Sequence, residues 1–215
     1  MDTSEIKQAI EQAKAQEASE GTLANIVSNA YSHHDHGLSE DQIKEKTAAA
    51  VAMIQSYVES TIELIEAAHT AAEKAGVSEQ IVPIIETALS YINEEIDFIP
   101  DKLGIAGLVD DAYLVHGLIQ EMSHRHRAIV GADLLPEHYF ATSQRIRRLI
   151  GEPTATRLDV AIVAFARRHN VRDTIEQIIK RIGSTGMTMD LPVSVAFGDH
   201  PIEELPDLEL GALGD

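Results

Sequence analysis

The segment from Ser39 to Lys74 constrains this chain more than any other. Ser39-Glu40-Asp41-Gln42 reads as a capping box, with Ser39 at the N-cap and Gln42 three residues on. Apolar or tolerated residues then recur at 43, 47, 50, 54, 57, 58, 61, 65, 68 and 72, counting Thr47 and Thr61 as tolerated. The spacing follows the 3.6-residue period of a helix. Gly76 supplies a stop. A stripe sustained over about 35 residues requires a helical partner surface, as in a bundle core or a coiled-coil-like pair. Its many alanines favour close approach between helices.

The rest of the chain repeats the theme. Helices are predicted over about Ser4–Ala18 and Thr22–Ser32, then a polar break at His33-His34-Asp35-His36-Gly37. Asp2, Thr3 or Ser4 can cap the first, and Ser78 caps a helix over about Glu79–Asn93. After Pro100, which cannot sit in a helix interior, a helix is expected over about Ile105–Ile129. Its apolar face collects 105, 108, 109, 112, 115, 116, 119, 122 and 126. Helices over about Glu137–Ile150, from a Thr154 or Thr156 cap to His169, and over Arg172–Ile182 complete the pattern. Beyond Gly183 the periodicity collapses into Gly, Pro and acid, with a short strand at Leu191–Phe197 and spaced leucines at 205, 208, 210 and 213. Such tails have the composition of disordered segments and also of docking peptides.

The expected fold is therefore all-α. It is a bundle of about seven or eight helices with a central hairpin and an irregular acidic C-terminal tail. Four stretches divide it: residues 1–38, a core at 39–131, a basic module at 132–183 and the tail at 184–215. Apolar content of 44% with only 4% aromatic residues suits an Ala/Ile/Leu/Val core. With no cysteine, disulfides, thiolate metal sites and a Cys nucleophile are excluded. The charged N-terminus lacks the apolar core of a signal peptide, and no run of about 18 apolar residues occurs. A cytoplasmic location is the expectation.

Net charge is -18, which opposes general affinity for nucleic acid or anionic lipid. The charge is split, however. Between Arg145 and Arg181 nine Lys/Arg face four acids, so that stretch carries +5 and the remainder -23. A basic module inside an acidic chain suits docking onto an acidic surface, including the protein's own.

The densest chemistry lies between Tyr91 and His116, where Asp97, Asp101, Asp110 and Asp111 crowd the Pro100 turn. Four carboxylates with His116 could hold a divalent cation such as Mg²⁺ or Ca²⁺, because hard cations take several oxygen ligands. The same acids also serve structure. Asp101 can cap the turn, and Asp110 and Asp111 sit at a helix start where the dipole favours negative charge. By 100° spacing Asp110 points away from the apolar face and Asp111 borders it. His116 and His126 lie on that face, where a histidine is more often a core residue than a ligand. Glu66-x-x-His69 and Glu121-x-x-His124 match the Glu-x-x-His spacing of di-metal bundles, but Glu121 and His124 point outward. The His33–His36 tract could hold Zn²⁺ or Cu²⁺, or simply be a solvated loop. No phosphate loop, Gly-x-Ser-x-Gly elbow, dinucleotide fingerprint or His-Glu-x-x-His occurs.

The order Tyr91, Asp97, Ile99-Pro100-Asp101, Gly107, Asp110-Asp111 resembles the core motif of the YkvA-like domains, a widespread bacterial family of unknown function. A similar domain occurs in a membrane-bound RING-type ubiquitin ligase. The resemblance covers about 40 residues, roughly 85 to 125. One position departs: Glu95 stands where the family usually has proline, which bears on the local turn geometry. The resemblance implies an all-helical hairpin, often close to membranes. It carries over no catalytic residue, since the family has no established activity.

The residues favour a non-catalytic helical interaction or scaffold protein, acting through protein-partner docking or homo-oligomerisation, with no nucleic-acid partner. The alternatives are a metal-dependent, hydrolase-like enzyme using the Asp cluster, and a peripheral membrane protein, for which a membrane-surface contact follows from the family resemblance alone.

Overall fold

The computed structural model describes residues 3–34, 37–92, 98–131, 133–135, 137–183 and 208–214. Among these the chain is all-helical, with eight α-helices: α1 (Ser4–Glu20), α2 (Thr22–His34), α3 (Glu40–Lys74), α4 (Ser78–Ile92), α5 (Val109–Val130), α6 (Glu137–Ile150), α7 (Thr154–Arg168) and α8 (Val171–Gly183). Two 3₁₀ segments, Asp101–Leu108 and Leu210–Gly214, complete the order. The strand expected at Leu191–Phe197 and the leucine at 205 lie outside the described residues.

The capping box forms as expected. The Ser39 amide donates to Gln42 Oε1 at 2.9 Å and the Gln42 amide donates to Ser39 Oγ at 3.3 Å. Nine of the ten stripe positions in α3 are buried; only Ile43 is half-exposed. The start of α2 is capped from a distance, because Glu17 accepts the amides of Leu23 at 2.8 Å and Ala24 at 3.0 Å.

Three expectations need correction. The helix after Pro100 does not begin at Ile105. A 3₁₀ segment runs to Leu108, broken at Gly104 with φ 62° and ψ −126°, a conformation that side chains with a Cβ resist. Neither Thr154 nor Thr156 caps α7: Pro153 holds the N-cap position and Thr154 is itself helical and buried. Nor is the whole tail without structure, since Leu208 and Leu210 are buried in the core.

Helix α5 is the axis of the bundle. Eleven of its 22 residues are buried, and they point in nearly every direction. It packs against α3, α4, α6, α7 and α8. Gly117 lets α7 come close, as a Cβ there would fall 2.2 Å from Ile162 Cδ1. Apolar residues gather in two clusters. One joins α1, α2, the first half of α3, the start of α5, the end of α6 and α7. The other joins the second half of α3, α4, the later turns of α5, the start of α6 and α8.

Gly104→Ala should cost about 1–3 kcal/mol, because the backbone there is closed to L side chains. Gly131, with φ 84° and open space around a new Cβ, should cost about 1 kcal/mol on substitution by alanine. Urea titrations of both variants check the ranking.

Candidate functional site

The expected Asp cluster is divided by the fold. Asp97 lies outside the described residues, and so does the side chain of Asp101. Asp110 is 2% exposed, contrary to the expectation that it points away from the core. The chain at Phe98 and Ile99 covers this side of the first turn of α5, so Asp110 does not reach solvent there. Asp110 Oδ2 accepts the amides of Phe98 and Ile99, both at 3.1 Å, and so ties the chain before Pro100 to the first turn of α5. Asp111 is half-buried beside it.

His116 is elsewhere, six residues and about 9 Å further along the helix axis. It lies at the boundary of the two apolar clusters, within a polar layer built from α3, α5 and α6. Its Nε2 is 3.2 Å from Thr61 Oγ1 and 3.4 Å from Ser60 Oγ. Ser60 Oγ donates to the Tyr57 carbonyl at 2.7 Å. The His116 ring stacks on Tyr57 at 4.0 Å and on Tyr139 at 5.3 Å. Tyr57 and Gln120 both reach Ser143 Oγ. Burial pushes the His116 pKa down to about 3, opposed by a hydrogen bond to the Tyr57 backbone, so the ring is neutral.

A hydroxyl beside an imidazole suggests nucleophile and base. Three observations oppose that use. His116 Nδ1 has no partner among the described residues, so no carboxylate orients the ring. His116, Ser60 and Thr61 are 0%, 2% and 3% exposed, so substrate has no route to them. A base with its pKa near 3 is also too weak near neutral pH.

Among the described residues no group of three His, Asp or Glu converges as metal ligands would. The Glu-x-x-His pairs are engaged separately. Glu66 pairs with Lys7 at 2.7 Å, His69 lies 3.8 Å from Glu73, Glu121 pairs with Arg125 at 2.6 Å, and His124 stacks on Phe140. His33 is exposed at the end of α2; the side chain of His34, and Asp35 and His36, lie outside the described residues. His126 is buried, as its face predicted. No described helix is long and apolar enough to cross a membrane.

The most distinctive arrangement is one that periodicity could not show. Residues 208–214 seat on the turn between α6 and α7. Leu208 is 7% exposed and Leu210 is fully buried, in the cluster that holds Ile146, Ile150, Ala155 and Leu158. Two glycines let the backbones meet. A Cβ on Gly151 would come 3.0 Å from Glu209 Cα, and one on Gly211 would come 2.4 Å from Thr154 Cβ. The turn itself is braced by Arg147. Its Nε donates to Asp159 at 2.8 Å, and its terminal nitrogen donates to Glu152 at 2.8 Å and Thr156 at 3.3 Å. The Tyr113 hydroxyl donates to the other Asp159 oxygen at 2.8 Å, and burial with that carboxylate raises its pKa strongly. Spaced leucines and the Gly-x-Pro turn were the only sequence signals of this seat.

Comparison with protein-family models, curated proteins and solved structures finds no match for this chain. The class is thus set by the fold alone: an all-helical bundle with a seated C-terminal segment.

Asp110→Ala should destabilise by about 2–4 kcal/mol, since the buried Ile99 amide and the half-buried Phe98 amide lose their acceptor, while Asp110→Asn retains an oxygen and should cost less. His116 makes stability depend on pH. The unfolded ring takes a proton near 6.5 and the folded ring only near 3. The unfolded state therefore binds more protons between those values, and stability falls as pH drops from 6.5, by up to about 1.4 kcal/mol per pH unit. His116→Gln should flatten that slope in chemical denaturation series from about pH 7 down to about pH 4.

Proposed function

We propose that the protein is a non-catalytic helical interaction protein, and that the α6–α7 seat is a peptide-docking groove filled here by the chain's own C-terminal segment. The supporting observation is the burial of Leu208 and Leu210 against the glycine-lined turn. Residues 184–215 contain seven acids and no Lys or Arg. The turn is flanked by Arg145 and Arg148, neither of which makes an ion pair among the described residues. Opposite charges of this kind steer a segment to its groove and set register.

Magnitudes make the segment displaceable. Burying two leucines contributes about 3–6 kcal/mol. Ordering seven residues costs about 7 kcal/mol at the lower estimate per residue. The two nearly cancel, so seating depends on the tether through residues 184–207, which makes it intramolecular. A competing segment of the same chemistry, on a partner or on a second copy, then meets a seat that opens at little cost. The YkvA-like reading of residues 85–125 fits this proposal as a supporting hairpin, with Asp110 as its internal brace.

A full-length Leu208→Asp/Leu210→Asp variant should expose the seat while the helices stay intact by circular dichroism. It should bind a fluorescent peptide of residues 205–215 at least about tenfold more tightly than the parent, whose seat is filled. Gly211→Ala should act in the same direction, through contact with Thr154. Equal, negligible binding to all three proteins, with a strictly monomeric parent by native mass spectrometry, would overturn the proposal.

A further inference from the structure

Helix α7 turns an unusual face outward. Val160 is 62% exposed and Val163 41%. Ala164 beside them is exposed too, and Arg157, Arg167 and Arg168 are exposed at the two ends. At 100° per residue these six fall within an arc of about 140°, opposite the buried face of Ala155, Leu158, Ile162 and Ala166. None of the three arginines makes an ion pair among the described residues. In a chain of net charge -18, three uncompensated cations around an apolar strip are a local exception.

The strip runs into a pocket of about 410 Å³ between α5, α7 and the start of α8. Val163 and Arg167 belong to both strip and pocket. Ala166 and Val171 add apolar lining, while Arg125 and Arg172 stand across from Arg167. Arg125 is held by Glu121 and Arg172 by Glu176, which leaves Arg167 as the guanidinium open to an incoming anion.

We propose that this face of α7, with its pocket, docks an acidic segment of a partner protein that also carries aliphatic side chains. A carboxylate would meet Arg167 at the pocket mouth, aliphatic groups would cover Val160 and Val163, and a second carboxylate would meet Arg157 about 15 Å away. Aliphatic contact distinguishes this occupant from a phosphate polymer. Glu121 and Asp173 on the pocket wall add negative charge beside Arg167, which favours a segment with few, spaced carboxylates over a continuous polyanion. The inference deepens the interaction reading but uses a different surface from the α6–α7 seat.

The test uses the full-length parent, whose seat is filled, and a labelled twelve-residue synthetic peptide alternating glutamate pairs with leucine. Binding should be detectable by anisotropy below about 100 µM and should weaken with added salt. Arg167→Glu should weaken it at least about tenfold, and Val160→Ser/Val163→Ser several-fold. Arg148→Glu, on α6, should change it little. All of these side chains are exposed, so thermal melts should stay near the parent's. Adding Arg167→Glu to the Leu208→Asp/Leu210→Asp variant separates the two surfaces: binding that remains belongs to the opened seat, whereas binding lost with Arg167→Glu in the parent belongs to α7. No binding by the parent would overturn the proposal, as would equal binding of polyglutamate that ignores the valines, or insensitivity to Arg167→Glu. A concentration-dependent dimer in sedimentation, lost with Arg167→Glu, would replace the partner by a second copy and overturn it as stated.

Discussion

The carboxylate of Asp110 fixes the start of α5, and the rest of the bundle is built on that helix. Two amides, of Phe98 and Ile99, converge on one buried oxygen. An ionised carboxylate is a strong acceptor, and leaving either amide unpaired in the core would cost about 1–3 kcal/mol. The tie therefore fixes where the chain leaves the Pro100 turn and which way α5 faces. A one-residue shift in its start would rotate every later side chain by 100° and present Asp110, His116 and Ser123, whose Oγ accepts the Leu134 and Leu135 amides, to the wrong neighbours.

Further along the same helix, polar chemistry is used again for specificity. Leu64, Ile65 and their neighbours could merge with Ile54 and Val58 into one apolar core. A layer of Tyr57, Ser60, Thr61, His116, Tyr139 and Ser143 divides them. Hydroxyls and an imidazole at this depth add little net stability. They do penalise any packing in which they lose their partners. The layer thus acts as a register mark among α3, α5 and α6, and it holds a serine, a threonine and a histidine within hydrogen-bond reach but sealed from solvent.

Features encoded locally were legible in the sequence. The Ser39 capping box, the α3 stripe and the bounds of α6 follow from residues three and four apart, and the structure agrees at nearly every position. Burial of His116 and His126 followed from the same period. What failed depended on distant partners. The outward placement of Asp110 follows from a helix with one apolar face, whereas the first turn of α5 is also covered by the chain before Pro100. The Thr154 cap was displaced by Pro153, and Thr154 instead meets Gly211, 57 residues away. The leucines at 208 and 210 have no periodicity, so only the groove formed by the α6–α7 turn gives them a burial site.

The split charge then acquires a physical meaning. The positive module is the part of the chain that packs on α5 through one face and leaves arginines on the other. Arg147 is consumed in bracing the turn, with Asp159, Glu152 and Thr156 satisfying its donors. Arg157, Arg167 and Arg168 have no such internal task. Stability does not require them, because exposed ion pairs contribute about 0–1 kcal/mol even when formed. It does not require Val160 or Val163 in solvent either. Solvated arginines and exposed valines, placed together on one helix face beside a pocket, match the acidic, partly apolar surface proposed to cover them.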